Sequence, residues 1–178
     1  YYINWKVSNH MSTLSVDTIQ GQTTAANVKL PAGCILQTLQ GNRTTFFVSS
    51  SSTYADVVEQ TITPKYSTSK ILITVSGIGS AQNNNALYFK LLRGSTEINA
   101  GTGGGYYNVA GAITSDNSSS GFDVKGMSIQ FLDSPSTTNA TTYKLQCAAV
   151  NGTARVGGRQ NNTDIAVPTN ITVMEIAQ

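Results

Sequence analysis

The acidic side chains are the residues of this sequence that could carry out chemistry, but they are few and scattered. There are nine: Asp17, Asp56, Glu59, Glu97, Asp116, Asp123, Asp133, Asp164 and Glu175. Hydrolysis by paired carboxylates needs two acids close together. Asp133 is expected in a turn, Asp56 and Glu59 are expected to face solvent, and Glu175 is expected to pair with Lys144 or an arginine. The acids therefore indicate no catalytic pair, and we predict that the protein is not an enzyme.

The sequence also lacks the residues that other common catalytic and metal-binding sites require. The one histidine, His10, lies in residues 1–10, which differ in character from the rest of the chain. Because His10-Met11 resembles the scar of a cloning site, we expect residues 1–10 to be a vector-derived leader and Met11 to be the natural start. Without His10 no Ser-His-Asp or Cys-His set can be built, and two cysteines do not make a zinc site. Gly101–Gly105 lacks the Lys-Ser/Thr of a phosphate loop. We predict no cofactor and no metal.

Binding chemistry is better represented, in two clusters of aromatic and amide side chains. They are Tyr106, Tyr107 and Asn108, beside a glycine-rich loop, and Asn83, Asn84 and Asn85. Aromatic rings pack against the apolar face of a sugar, and amides both donate to and accept from its hydroxyl groups. We predict these six residues as contacts for a neutral sugar. The alternative is that the tyrosines are half-buried strand residues.

The composition limits the possible partners. Charged residues make up 11% of the chain, against roughly a quarter in an average protein, and the net charge is +2. Lysine and arginine form no basic stripe, so no nucleic-acid partner is expected. No apolar run is long enough to cross a bilayer, so no membrane insertion is expected. Cys34 and Cys147 each lie in a strand-like run, which favours buried thiols over a disulfide but leaves both open.

The elements that position these residues are strands. Residues 126–150 read as strand, turn and strand, in which Asp133-Ser134-Pro135 ends the first run. The alternating apolar residues are Met127, Ile129 and Phe131 before the turn, and Tyr143, Leu145 and Cys147 after it. This period of two predicts a long antiparallel hairpin.

Further strand-like runs cover the rest of the chain after residue 31. They are residues 34–40, 44–48, 57–63, 69–76, 86–93, 153–156 and 170–176, with turns predicted at Gly41-Asn42 and Asn151-Gly152 and a polar loop at 77–85. Residues 69–76 are apolar enough to be a central strand. Eight to ten short strands without a helix predict an all-β fold, an antiparallel β-sandwich or jelly roll.

The segment before these strands has a different character. Residues 11–31 carry sparse apolar residues in a polar, extended stretch, among them Leu14, Val16 and Val28. Such a segment cannot form a core of its own. It either lies along the domain or packs against copies of itself, and we favour the second. We therefore predict a stalk or assembly segment over residues 11–31 and a jelly-roll head over residues 32–178.

The sequence resembles small structural proteins of tailed bacteriophages, particularly marine phages, over roughly residues 12–178. The matching phrases are Leu14–Ala25, Leu30–Gly33, Phe131–Thr138, Tyr143–Gln146 and Ile171–Ile176. The resemblance implies a trimeric head with a jelly roll similar to the tumour-necrosis-factor type, attached to the host surface. It implies no particular receptor-binding residues.

These observations lead to one functional hypothesis and two alternatives. The hypothesis is a homotrimeric tail-fibre tip or receptor-binding protein of the virion, whose partners are itself, other virion proteins and a host-surface glycan or protein. The first alternative is a virion structural or capsid decoration protein without a receptor role. The second is a free carbohydrate-binding module or lectin. A stable trimer of residues 11–178 in solution favours the first hypothesis, and a sugar-binding monomer favours the lectin.

Overall fold

The computed structural model describes residues 30–82, 85–103, 107–115, 124–160 and 163–178. These residues form eleven strands, all in the unit Pro31–Gln178, and no helix. Accordingly, the described part of the chain has no helix long and apolar enough to cross a membrane. The predicted leader and nearly all of the predicted stalk segment lie outside the described residues.

The strands, in chain order, are short to medium in length. They are β1 (Ile35–Arg43), β2 (Phe47–Ser49), β3 (Ala55–Ile62), β4 (Lys70–Ala81), β5 (Ala86–Arg93), β6 (Thr96–Ile98), β7 (Gly111–Thr114), β8 (Lys125–Asp133), β9 (Thr141–Val150), β10 (Ala154–Val156) and β11 (Thr169–Ile176).

Two antiparallel sheets face each other across one core. In the first sheet the order is β1-β11-β4, with β8 along the other side of β4 and β10 and β2 continuing from its C-terminal end. In the second sheet the order is β3-β9-β5, and β6 and β7 share the free side of β5. The predicted all-β sandwich is confirmed, and the arrangement is consistent with a jelly roll.

The core follows from the alternation seen in the sequence. In β9, Tyr143, Leu145 and Cys147 are fully buried while the residues between them face outward. In β8, Met127 and Ile129 are buried in the same alternating way. β4 has strand partners on both sides, which confirms that it is a central strand.

The predicted hairpin over residues 126–150 is wrong, although both of its strands exist. β8 pairs with β4 in the first sheet, whereas β9 pairs with β3 and β5 in the second. The segment 134–140 therefore crosses from one sheet to the other. Both strands do bury their apolar faces in the same core, but they do so from opposite sides. Alternation specifies the buried face of each strand and carries no information about its hydrogen-bonded neighbour.

Two glycine-containing stretches that we predicted as turn and loop are strand. Gly41 and Asn42 continue β1 opposite β11, and the first half of the predicted 77–85 loop is the end of β4. A Cβ atom at Gly41 would fall on the carbonyl oxygen of Glu59, and one at Gly79 would lie 2.8 Å from Cδ1 of Ile113. These glycines allow the two sheets to approach closely, so they mark packing rather than chain reversal.

Both cysteines are free thiols, so the disulfide left open by the sequence does not form. Cys147 is fully buried and Cys34 is half-buried. Burial raises the pKa of the Cys147 thiol to about 12, which keeps it in the unreactive protonated form.

Native protein treated with excess iodoacetamide at pH 8 is expected to be alkylated at Cys34 well before Cys147. Cys147 becomes reactive only when unfolding exposes it, because its thiol is both inaccessible and protonated. Peptide mass spectrometry before and after denaturation measures this, and Cys34→Ser removes the modification of the native state. Equal labelling of the two cysteines in native protein would contradict the burial of Cys147.

Candidate functional site

A cluster of tyrosines lies on the outer face of the second sheet. In β5, Leu87 and Phe89 are buried in the core, so Tyr88 between them points outward. Its ring stacks on that of Tyr107, with centroids 4.2 Å apart and planes inclined by 15°. Tyr107 remains 44% exposed. The pair forms a fixed aromatic platform at the surface.

Charged neighbours flank this platform on one side. Lys90 lies on the same face of β5, with Nζ 4.6 Å from the ring centre of Tyr54 and 2.6 Å from Oε2 of Glu97. Burial, and then the negative charge of Glu97, raise the pKa of the Tyr54 hydroxyl above its usual value. Tyr54 therefore stays a neutral hydrogen-bond donor near neutral pH.

On the other side of Tyr88, a cavity of about 250 Å³ opens between the ends of β5, β7 and β9. We call it the Tyr88 cavity. The described residues of its lining carry no charged side chain; they are Asn85, Ala86, Tyr88, Thr114, Ser115, Val150 and Asn151. Apolar surface and a few polar groups are combined here, as in small-molecule sites generally.

Asn85 is the most constrained polar residue of this lining. It is 2% exposed, and its Oδ1 accepts a hydrogen bond of 2.7 Å from the backbone N–H of Ala86. Its Nδ2 has no acceptor among the described residues. Exchanging the amide oxygen and nitrogen would place two donors against each other, so the hydrogen bond to Ala86 fixes the orientation. A buried amide donor is thus left unsatisfied in the cavity wall.

Close to this donor the chain reverses with two residues in the left-handed region. Asn151 has φ of 65° and Gly152 has φ of 143°. A Cβ atom at Gly152 would lie 3.3 Å from Nδ2 of Asn85, so glycine leaves room beside the amide. The predicted Asn-Gly turn thus exists, but it connects β9 to β10 of the other sheet rather than closing a hairpin.

The structure places the sequence-predicted sugar contacts differently. Tyr107 belongs to the aromatic platform, Asn85 forms part of the cavity wall, and Asn108 is exposed. Tyr106, Asn83 and Asn84 lie outside the described residues. Tyr88 connects Tyr107 to the cavity, yet sequence reasoning missed it because it lies inside a strand. The sequence signal that could have found it is its place between Leu87 and Phe89: if both of these are buried in a strand, the tyrosine between them faces the surface.

The acids of the described residues are engaged in hydrogen bonds, ion pairs or other electrostatic contacts. Asp56 and Glu59 are exposed, as expected, and both pair with Lys144, at 2.9 and 3.5 Å. Hydrogen bonds from Gln146 and then Lys144 lower the pKa of Asp56 below its usual value. In residues 30–82, 85–103, 107–115, 124–160 and 163–178, no group of three or more histidine, cysteine or acidic side chains could hold a metal ion.

Two acids have roles that differ from those predicted. Glu175 pairs with neither Lys144 nor an arginine: it is fully buried and accepts hydrogen bonds from Gln37 and from the backbone of Lys65 and Tyr66. The ion-pair prediction is wrong because Glu175 lies on the core face of β11.

Asp133 is the last residue of β8 rather than a turn residue. It is 6% exposed and contacts Arg93 and Tyr143 of the second sheet. The turn prediction is wrong because the strand continues one residue further and buries the carboxylate between the sheets.

Fold and surface together define an antiparallel β-sandwich domain with a cavity at one end of its second sheet, whose described lining combines apolar and uncharged polar side chains. No family model matches the chain, and no curated protein matches it.

Three solved structures of infectious bursal disease virus are similar to it. A structure of the Gt strain has a TM-score of 0.47 at 9% identity, and the match covers 94% of this chain and 43% of the viral chain. The VP2 subviral particle has a TM-score of 0.40 at 12% identity, covering 80% and 38%. A structure of the Gx strain has a TM-score of 0.39 at 12% identity, covering 80% and 37%. The chain spans about two fifths of the length of these proteins. Such TM-scores are too low to establish a shared fold, so the architecture rests on the strand pairing itself.

Proposed function

We propose that the chain is a non-enzymatic structural protein of a virion, in which residues 32–178 form the homotrimeric head of a fibre tip that attaches to a host-surface receptor. The observation that carries this proposal is a set of three neighbouring rows without charge on the outer face of the first sheet, beside Lys70 at the start of β4; we call these rows the neutral face. That face offers a surface on which copies of the chain can pack.

Strand register defines the composition of this face. One lateral row contains Met174, Leu72 and Leu132, and Leu132 is 46% exposed. The next two rows are polar and uncharged: Gln40, Thr172, Thr74 and Gln130, and then Asn42, Asn170, Ser76 and Ser128. An apolar band beside neutral amides and hydroxyls is the composition expected of the core of an interface.

The outer face of the second sheet contrasts with it. Lys90, Lys144, Asp56 and Glu59 all lie there. The neutral face brings no charge of its own into a contact with another copy, whereas a charged face must be matched in sign by its partner surface. The neutral face is therefore the better surface for self-association, and it leaves the tyrosine platform and the Tyr88 cavity accessible.

Threefold assembly also needs a second, different surface, because the contacts of a ring are head-to-tail. The edge strand β1 provides one: Ile35 is 56% exposed and Leu39 is 37% exposed. In the proposed trimer, the outer face of the first sheet packs against the β1 edge of the next copy.

Light scattering after size exclusion tests this assembly. Residues 11–178 are expected to have three times the mass of one chain, and Leu132→Lys is expected to reduce the mass to that of a monomer without changing the circular dichroism spectrum. Thr61→Lys, which adds the same charge at an exposed site of the second sheet, serves as control and should remain trimeric. A monomeric wild-type protein would overturn the trimer.

Attachment is tested separately. The purified trimer is expected to compete with virions for adsorption to host cells, whereas a decoration protein without a receptor role does not compete. The Tyr88 cavity favours one further candidate, a free lectin. A monomer with sugar affinity would decide for that candidate.

A further inference from the structure

From the lining of the Tyr88 cavity we infer that it binds a single ring of a neutral saccharide. This inference deepens the proposed function, on which it rests for the biological source of the sugar: a glycan of the host surface. The chemistry of the cavity itself is independent of assembly.

The absence of charge in the lining selects the ligand class. None of the seven described lining residues is charged at neutral pH, and the ammonium group of Lys125, which lies next to them, donates a hydrogen bond to the backbone oxygen of Thr114. The described lining itself therefore offers no counter-charge to a phosphate, a carboxylate or an ammonium group. Ala86, Val150 and the ring of Tyr88 supply apolar surface. The amides of Asn85 and Asn151 and the hydroxyls of Thr114 and Ser115 supply hydrogen-bonding groups. A pyranose combines these two properties, an apolar C–H face and a rim of hydroxyls.

The unsatisfied amide of Asn85 indicates an acceptor that the described residues do not supply. Buried polar groups of native proteins almost always find a partner, and an unpaired donor costs roughly 1–3 kcal/mol. Because Oδ1 is held by Ala86, the amide cannot rotate to pair Nδ2 elsewhere without losing that bond. Nδ2 has almost no accessible surface in this structure, so a sugar hydroxyl oxygen would accept from it only after the wall beside Gly152 shifts to expose the amide. A water molecule is the competing acceptor, and a sugar titration distinguishes the two.

Tyr88 is fixed before any ligand arrives. Its ring is stacked on Tyr107, and β5 is paired with β9 on one side and β7 on the other. A rigid aromatic residue loses little conformational entropy on binding. The volume of about 250 Å³ lies just below the usual range of ligand cavities, which limits the occupant to one ring. Affinity for a single ring is expected near 1 mM, and three linked cavities would raise the avidity by about 10²-fold or more.

The experiment is a titration of ¹⁵N-labelled protein with D-glucose, D-galactose, D-mannose and N-acetyl-D-glucosamine, each taken to about 10 mM or more. The side-chain amide signal of Asn85 reports directly on the cavity. At least one sugar is expected to shift this signal saturably. Tyr88→Ala is expected to weaken binding at least tenfold, while Tyr66→Ala, a half-buried tyrosine outside the cavity, should leave it unchanged.

A second variant covers the case in which Tyr88→Ala does not fold. Thr114→Val changes an exposed hydroxyl of the lining to a methyl group and should weaken binding by about twofold to tenfold. The inference is overturned if none of the four sugars shifts the Asn85 signal, if the shift persists in Tyr88→Ala, or if the Asn85 amide protons show contacts to water alone at saturating sugar.

Light scattering on the same samples keeps the two proposals separate. A trimer that binds none of the sugars overturns the cavity proposal and leaves the assembly intact. A monomer that binds a sugar through Tyr88 overturns the trimer and supports the cavity as a sugar site.

Discussion

Replacing Glu175 with alanine is expected to lower the free energy of unfolding by about 4 kcal/mol. The carboxylate is 0% exposed and accepts hydrogen bonds of 2.7 Å from the backbone N–H of Lys65, 3.3 Å from that of Tyr66 and 2.6 Å from Nε2 of Gln37. Alanine would leave two backbone donors without an acceptor and a void beside them. Each unsatisfied donor costs roughly 1–3 kcal/mol, which accounts for most of the expected loss.

These contacts also explain what the residue does for the fold. Lys65 and Tyr66 belong to the connection from β3 to β4, which passes from the second sheet to the first, and Gln37 lies in β1. Glu175 in β11 therefore fixes this connection against the first sheet. Its loss is expected to loosen the crossover as well as lower global stability, so hydrogen exchange at the amides of Lys65 and Tyr66 should accelerate more than in the core strands.

Urea unfolding measures the effect, with two comparisons. Glu175→Gln retains one oxygen acceptor but turns an amide donor toward Gln37, so a smaller loss of about 2 kcal/mol is expected. Glu59→Ala makes the same change at an exposed glutamate that forms a surface ion pair with Lys144, and it should cost no more than about 1 kcal/mol. Equal losses for Glu175→Ala and Glu59→Ala would show that the buried hydrogen bonds contribute little.

Glu175 also shows which features of a residue can be predicted from the sequence and which cannot. Alternation correctly placed it on the same face of β11 as Ile171 and Val173. The nature of its partners was not predictable, because two of them are backbone N–H groups from a connection about 110 residues earlier in the chain. Backbone donors have no sequence signature, so a charged side chain on an apolar face was assigned an ion pair by default.

The positions of the strands could be predicted from the sequence, but their hydrogen-bonded partners could not. The period of two is a local property of one strand, and it located β5 over residues 86–93 and the buried face of β8 and β9. Pairing depends on contacts between distant segments, and proximity in sequence favoured a hairpin that the fold does not contain. The sandwich as a class was predictable because it needs only the number and spacing of strands.

The candidate site was likewise predictable only in part. Chemistry alone selected Asn85 and Tyr107, since amides and aromatic rings are what a neutral ligand needs. The cavity itself forms where the ends of β5, β7 and β9 meet, and it includes Thr114 and Asn151 from separate parts of the chain. No local pattern connects these residues, so only the tertiary structure shows that Tyr88 lies at their centre.

A second buried carboxylate connects the two sheets directly. Asp133 at the end of β8 accepts hydrogen bonds of 2.9 Å from Nη1 of Arg93 at both oxygens and one of 2.7 Å from the hydroxyl of Tyr143. Arg93 and Tyr143 are themselves register partners in β5 and β9. Burial, and then the hydrogen bond to Asp133, raise the pKa of Tyr143 far above its usual value, so its hydroxyl remains a donor.

Asp133→Ala is expected to lower the free energy of unfolding by about 4 kcal/mol, because it leaves a fully buried hydroxyl without its acceptor and a half-buried guanidinium with only a 3.4 Å hydrogen bond to the backbone oxygen of Ser134. Asp56→Ala, at an exposed aspartate, is the matched control and should cost no more than about 1 kcal/mol.

A double-mutant cycle separates the hydrogen bond from general packing effects. Asp133→Asn and Tyr143→Phe are each expected to cost about 1–3 kcal/mol in urea unfolding, since each leaves one buried partner incompletely satisfied. The double variant should cost less than their sum by at least about 0.5 kcal/mol, because the second substitution removes a bond that the first has already weakened. Strict additivity would mean that Asp133 and Tyr143 stabilise the fold independently, and that the connection between the sheets at this point depends on Arg93 alone.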